Sequence, residues 1–218
     1  CAPWVSTMVR LQLDDRQWGR ALSRGESSLA GLLDGCRFVC NNLVAQPSGF
    51  VRLEEPLMTP VDLTVTRDFE ASAAAVFAAW TEPRLLMRWW GPKGFTCPLA
   101  EMDVRVGGVS LVCMRAPAEW GGMELFNTWT YGLVEPGRRL EFVLRFADKE
   151  RNGISPQSLG IPPGVPAAVP HVLTFVERGD QGSTLTVTEL GYTSTEAMET
   201  SKQGLEQTLD KLAEALRA

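Results

Sequence analysis

The sequence predicts an α+β domain in which a curved antiparallel sheet of about six to seven strands wraps one long C-terminal helix, with two short helices after the first strand. Three observations carry this. Leu205, Leu209, Leu212 and Leu216 recur at spacings of 4, 3 and 4, which lines one face of a helix. Between residues 95 and 190, short apolar runs alternate with Gly- and Pro-containing turns, the pattern of strands joined by hairpins. Ahead of those runs, residues 80–92 read Trp-Thr-Glu-Pro-Arg-Leu-Leu-Met-Arg-Trp-Trp-Gly-Pro and hold three of the chain's seven tryptophans. Rings of that size are normally committed to a core or a cavity wall, because their burial removes so much apolar area from water.

The elements follow in order. Residues 61–67 alternate apolar and polar side chains, as a half-buried strand does. Ser72 is placed to cap a short helix over 73–80, on which Val76, Phe77 and Trp80 share a face. Pro83 suits the first turn of a second helix, carrying Leu86, Met87, Trp89 and Trp90 to a stop at Gly91-Pro92. Strands are expected over 95–104, 109–115, 123–134 and 139–146, with turns at Gly107-Gly108 and Glu135-Pro136-Gly137. The stretch 148–170 holds Pro156, Pro162, Pro163, Pro166 and Pro170, too many for a helix or an inner strand. It reads equally as a cavity lid or as a surface excursion. Strands resume over 172–177 and 184–190, joined through residues 179–182. Thr193-Ser194-Thr195-Glu196 is a capping box, opening a helix of about 22 residues whose leucines face the sheet.

Residues 1–57 differ in character, with six arginines, no lysine and six acidic side chains. Weak helical patterns over 14–23 and 26–44 are interrupted by Gly25, Gly31 and Gly35. Two readings stand for this part: a poorly ordered or partly helical extension, or upstream translated sequence with Met58 as the natural start. Residues 58–218 then form the domain, and position 1 reads as a truncated or arbitrary start. The net charge is −5, and no basic cluster exceeds Arg138-Arg139, so no nucleic-acid partner is expected. The most apolar stretch, 29–44, is broken by Asp34, Arg37, Asn41 and Asn42, so no membrane anchor is expected. Five cysteines without a matching Cys/His pair suggest reduced thiols in a cytoplasmic protein rather than disulfides or zinc.

The order strand, two short helices, antiparallel strands and long helix is that of the helix-grip fold. Particular motifs sharpen the likeness: Arg67-Asp68-Phe69, Val76-Phe77-Ala78-Ala79-Trp80-Thr81-Glu82-Pro83 and Arg88-Trp89-Trp90-Gly91-Pro92. Asp103-Val104-Arg105-Val106-Gly107-Gly108, Pro136-Gly137-Arg138-Arg139-Leu140 and Gly204-Leu205-Glu206-Gln207-Thr208-Leu209 follow in sequence. Together they resemble the activator-of-heat-shock-protein-ninety-ATPase homologue family of the START-like (SRPBCC) superfamily, over residues 61–216. The resemblance implies a cavity between sheet and helix. It also implies two alternatives to plain ligand binding, cyclase- or aromatase-like catalysis and a co-chaperone contact. Leu205 stands where many members carry tryptophan, which would enlarge or reshape the cavity.

The candidate cavity residues are Trp89, Trp90, Met114, Trp129, Tyr131, Phe142, Phe146, His171, Glu189, Leu205 and Leu209. At most one of the adjacent Trp89 and Trp90 can aim fully into a cavity, because neighbours on a helix point about 100° apart. His171, the chain's one histidine, is most simply a satisfied or solvent-facing side chain at the start of a strand. If it faces the cavity, it and Glu189 are the groups to orient a ligand or move a proton. The sequence holds no Gly-x-Ser-x-Gly elbow, phosphate-cradling loop or metal-ligand spacing. No catalytic residue, cofactor or metal is therefore assigned. The expected partner is a hydrophobic small molecule, bound by a monomer or homodimer.

Overall fold

The computed structural model describes residues 60–179 and 182–217. The extension over 1–57, with its two expected helices and Cys1, Cys36 and Cys40, lies outside the described residues, as does Met58. The strands are β1 (Val61–Phe69), β2 (Thr96–Glu101), β3 (Val109–Arg115), β4 (Glu124–Glu135), β5 (Arg139–Ala147), β6 (Ala168–Arg178) and β7 (Gly182–Tyr192). Helices α1 (Ala73–Thr81) and α2 (Pro83–Leu86) follow β1, and α3 (Thr195–Arg217) follows β7. Short 3-10 turns occupy Ala118–Trp120 and Pro156–Leu159.

All seven strands form one curved antiparallel sheet in the order β1-β7-β6-β5-β4-β3-β2. From β2 onward each strand pairs with the next in sequence, and β1 joins at the far edge by pairing with β7. This is the helix-grip arrangement. Helix α3 packs chiefly on β1, with lesser contact to β7 and α1. The concave face of the middle strands therefore needs another cover.

Part of that cover is aromatic. Trp80, at the end of α1, meets Trp89 and Trp90 edge-to-face, with ring centroids 4.9 and 5.6 Å apart. Trp90 in turn meets Trp129 of β4 at 4.8 Å. The second helix is shorter than expected. After Leu86 the chain tightens through Arg88 N to Leu85 O and Trp89 N to Leu86 O, both three-residue steps. Both neighbouring indoles are buried, Trp89 to 1% and Trp90 to 7% exposure.

Other departures have equally local causes. The expected 95–104 strand stops at Glu101, because the chain turns off at Asp103, whose N–H donates to Ser110 Oγ at 3.0 Å. A Cβ on Gly108 would lie 2.1 Å from Asp103 O, so only glycine fits that turn. β6 begins at Ala168 and runs through Pro170, against the expectation that this stretch excludes inner strand. Pro170 pairs only with Val143 of β5, and pairing with β7 starts one residue later at His171. The proline thus sits where the strand is locally an edge and needs no second donor.

The cap of α3 is displaced by one residue. Ser194 Oγ, not Thr193, accepts the helical N–H of Ala197 at 3.3 Å. The N–H of Thr193, which a capping box would give to the Glu196 side chain, donates instead to Gly164 O at 3.0 Å. Gly164 has φ +103°, and a Cβ there would lie 2.5 Å from Ser194 Cβ, so it seals the proline-rich segment against the start of α3. Ser194→Ala is expected to lower the unfolding free energy by about 1 kcal/mol, and Thr193→Ala by clearly less. Denaturant titration of the two variants checks this, and the reverse ranking would restore the capping box.

Candidate ligand-binding cavity

A partly open cavity of about 160 Å³ lies between the middle strands, α3 and the 156–165 segment. Six of the eleven sequence candidates line it: Trp90, Met114, Phe146, His171, Glu189 and Leu205. The other five, Trp89, Trp129, Tyr131, Phe142 and Leu209, are core side chains outside the lining. Trp89 is tied down by its indole N–H, which donates to Ala79 O at 3.1 Å. Ile161 and Val165, both buried, come from the proline-rich stretch, so that stretch supplies a wall of the cavity.

The polar part of the wall is assembled by strand register. His171 on β6 stands directly opposite Glu189 on β7, and its Nε2 lies 3.2 Å from Glu189 Oε1. The sequence places His171 at a strand start as a satisfied or solvent-facing group; it lies inside β6, 4% exposed with both nitrogens engaged, so it is satisfied and not solvent-facing. Its Nδ1 lies 2.9 Å from Val169 O. A carbonyl only accepts, so Nδ1 carries a hydrogen. A bare Nε2 would then oppose a carboxylate oxygen, two acceptors face to face. The contact is satisfied only with a proton between Nε2 and Oε1.

Tyr192, three residues beyond Glu189, donates its hydroxyl to Glu189 Oε2. Burial alone would raise the Glu189 carboxyl. The His171 charge, with hydrogen bonds from His171 and Tyr192, outweighs burial and holds it below its ordinary 4.5. Burial and the neighbouring Glu189 charge push the Tyr192 phenol far above its usual range, so it stays a neutral donor. Ser201 of α3 lines the same wall beside Tyr192 and lowers its phenol against those effects, so polar groups reach from sheet to helix.

Beneath these polar groups the rings stack. Trp129, Phe142 and His171, on β4, β5 and β6, lie nearly parallel, with centroid steps of 4.6 and 4.7 Å and interplanar angles of 14°. The imidazole is thereby fixed by stacking on Phe142, by Val169 O and by Glu189. A cation over an aromatic face is favourable there.

Sequence reasoning missed Tyr192, Ser201 and Asn127. Asn127 carried a signal, since it alternates with Trp129 and Tyr131 on one face of β4 and so had to be buried with them. Its Oδ1 accepts from Trp129 Nε1 at 2.8 Å. Among the described residues no group of three or more His, Cys, Asp or Glu is placed to hold a metal ion, and no helix is long and apolar enough to cross a membrane. The Cys97 thiol is pushed up to about 12, by burial first and then by Cys113, which makes it a poor nucleophile.

Comparison with known proteins places this geometry. The family model for Activator of Hsp90 ATPase homolog 1-like proteins matches residues 70–217. The chain belongs to this family. The match opens at Glu70, just after Arg67-Asp68-Phe69 and the end of β1. A solved structure from Chromobacterium violaceum is 25% identical, with a TM-score of 0.59 over 72% of this chain and 97% of that one. An AHSA1 protein from Silicibacter pomeroyi is 19% identical, with a TM-score of 0.58 over 72% and 98% of the two chains. An AHSA1-like protein from Aeromonas hydrophila, 19% identical, reaches a TM-score of 0.53 over 72% and 92%. The last two likenesses speak for the fold alone. No curated protein matches the chain.

Within this AHSA1-like fold the buried pair makes stability depend on pH. A carboxyl held below 4.5 in the folded state contributes stability that is present above that value and is lost as pH falls through the folded value. Glu189→Gln removes that contribution and leaves His171 without its counter-charge. The variant is expected to be about 3 kcal/mol less stable at pH 7, with the gap to wild type narrowing below the ordinary carboxylate range. Urea unfolding from pH 3 to pH 7 tests it, and a constant gap would contradict the ion-pair assignment.

Proposed function

We propose that the protein binds a compact hydrophobic small molecule in the cavity between the sheet and α3. The observation that carries this reading is the make-up of the walls. Trp90, Met114, Leu144, Ile161, Val169 and Leu205 give an apolar interior, and the polar groups are few and fixed. Such a mixture is what small-molecule recognition uses. The volume of about 160 Å³ bounds the ligand. A cavity of about 150 Å³ accepts benzene, whereas drug-sized sites run to roughly 300–1,000 Å³. The occupant is therefore of one-ring size.

Cyclase- or aromatase-like catalysis has one observation in its favour, since His171 and Glu189 share a wall of the cavity. Their chemistry favours binding instead. Both His171 nitrogens are engaged, and a carboxylate held below its ordinary pKa is a weak base. The chaperone contact carried by the family name has no comparable feature among the described residues behind it.

Toluene is a suitable probe. It should bind saturably, with a change in tryptophan emission from Trp90 at the wall. Leu205→Trp puts an indole into the cavity and should weaken toluene by about tenfold or more. Retained circular dichroism and melting temperature would show that the variant folds. Unchanged toluene affinity in folded Leu205→Trp would refute binding at this site.

A further inference from the structure

The cavity wall contains a donor that nothing in the protein uses. Asn127 is 1% exposed, lines the cavity and makes one hydrogen bond, from Trp129 Nε1 to its Oδ1 at 2.8 Å. An indole N–H only donates, so the amide oxygen must face Trp129 and the NH2 must face away from it. The orientation is fixed by chemistry as well as by coordinates. Among the described residues no acceptor is bonded to Nδ2. Nδ2 is not sealed away, since the enclosed side-chain atoms without a partner are Trp80 Nε1, Trp90 Nε1 and Gln207 Oε1 among the described residues; it keeps its surface on the cavity, where an acceptor can reach it.

The charge of the site says what kind of acceptor fits. His171 and Glu189 neutralise each other, and both nitrogens of the imidazole are engaged. Lys211 is committed to the carbonyls of Gly91 and Phe95, each at 2.8 Å, and no lysine or arginine is among the residues that line the cavity. A carboxylate ligand would enter an apolar pocket with no charge left to meet it. A neutral oxygen needs no counter-charge and can be met by the waiting amide. Glu189, with both carboxylate oxygens already accepting, stands on β7, away from Asn127 on β4, and repels a second acceptor at its own end.

We infer that the cavity selects neutral one-ring ligands bearing a carbonyl-type acceptor, received by Asn127 Nδ2. This deepens the reading of the cavity as a binding site and rests on it. Asn127 is a specificity-determining residue, and Trp129 positions it.

Calorimetric titration of the full chain with acetophenone and with α-methylstyrene, which replaces the ketone oxygen by a methylene of similar shape, tests the inference. Wild type should prefer acetophenone by about tenfold, the worth of one neutral hydrogen bond. Asn127→Leu should bring the ratio to about one while keeping α-methylstyrene affinity, which also reports that the cavity is intact. Should Asn127→Leu fail to fold, Asn127→Asp at pH 8 keeps an acceptor for Trp129 and removes both donors, and the ratio should again fall to one or below. Equal binding of the two probes by wild type, or a preference that survives in a folded variant, overturns the selectivity and leaves the binding site standing. Binding of neither probe overturns both.

Discussion

A seven-stranded sheet bent into a trough encloses more space than one helix can fill, and every later feature of the domain answers that mismatch. α3 settles toward β1 at one side of the trough. The remainder, over β4, β5 and β6, is filled first by large rings. Trp80, Trp89 and Trp90 descend from the segment after β1 and pack on one another, and Trp80 and Trp90 meet Trp129 from the sheet, all edge-to-face or tilted. Edge-to-face packing suits the ring quadrupole and gives buried indole N–H groups a neighbouring ring face. Trp80 and Trp90 have no conventional acceptor for theirs, which fits that environment. What the rings do not fill is the cavity.

Two kinds of fastening keep the unfilled part in shape. Along the sheet, Trp129, Phe142 and His171 stack across three strands, so the imidazole at the wall is the end of a ladder rather than a free side chain. From sheet to helix, the contacts run from His171 through Glu189 and Tyr192 to Ser201. An ion pair with every lone partner engaged is a rigid dipole in a poorly screened interior. That rigidity suits holding a ligand better than exchanging protons with it.

Much of this was legible in the chain because burial writes periodicity. The leucine repeat of α3, the alternation in β1 and the prolines around the tryptophans all record which side of an element meets the core. The same periodicity could not separate a wall residue from one behind it: Trp129 and Phe142 share the concave face with Asn127 and His171, yet only the latter two meet the cavity. Nor could it supply register. His171 and Glu189 become partners because β6 and β7 pair in one alignment out of several, and that alignment depends on the turn between them. The displaced cap of α3 shows the same limit, since the backbone N–H of Thr193 is taken by Gly164, about thirty residues earlier, and the side-chain cap falls to Ser194.

Lys211 gives the cavity a direction. Its ammonium, half buried and lowered in pKa by that burial, holds the carbonyls of Gly91 and Phe95 from the side of α3. The rim at Pro92 and Phe95 is thereby clasped to the helix by a charge. The opposite bank, which carries Ile161 and Val165, is joined to the helix start by a neutral bond, from Thr193 N–H to Gly164 O. The two banks of the cavity are thus held by fastenings of unequal strength, ionic on one side and neutral on the other.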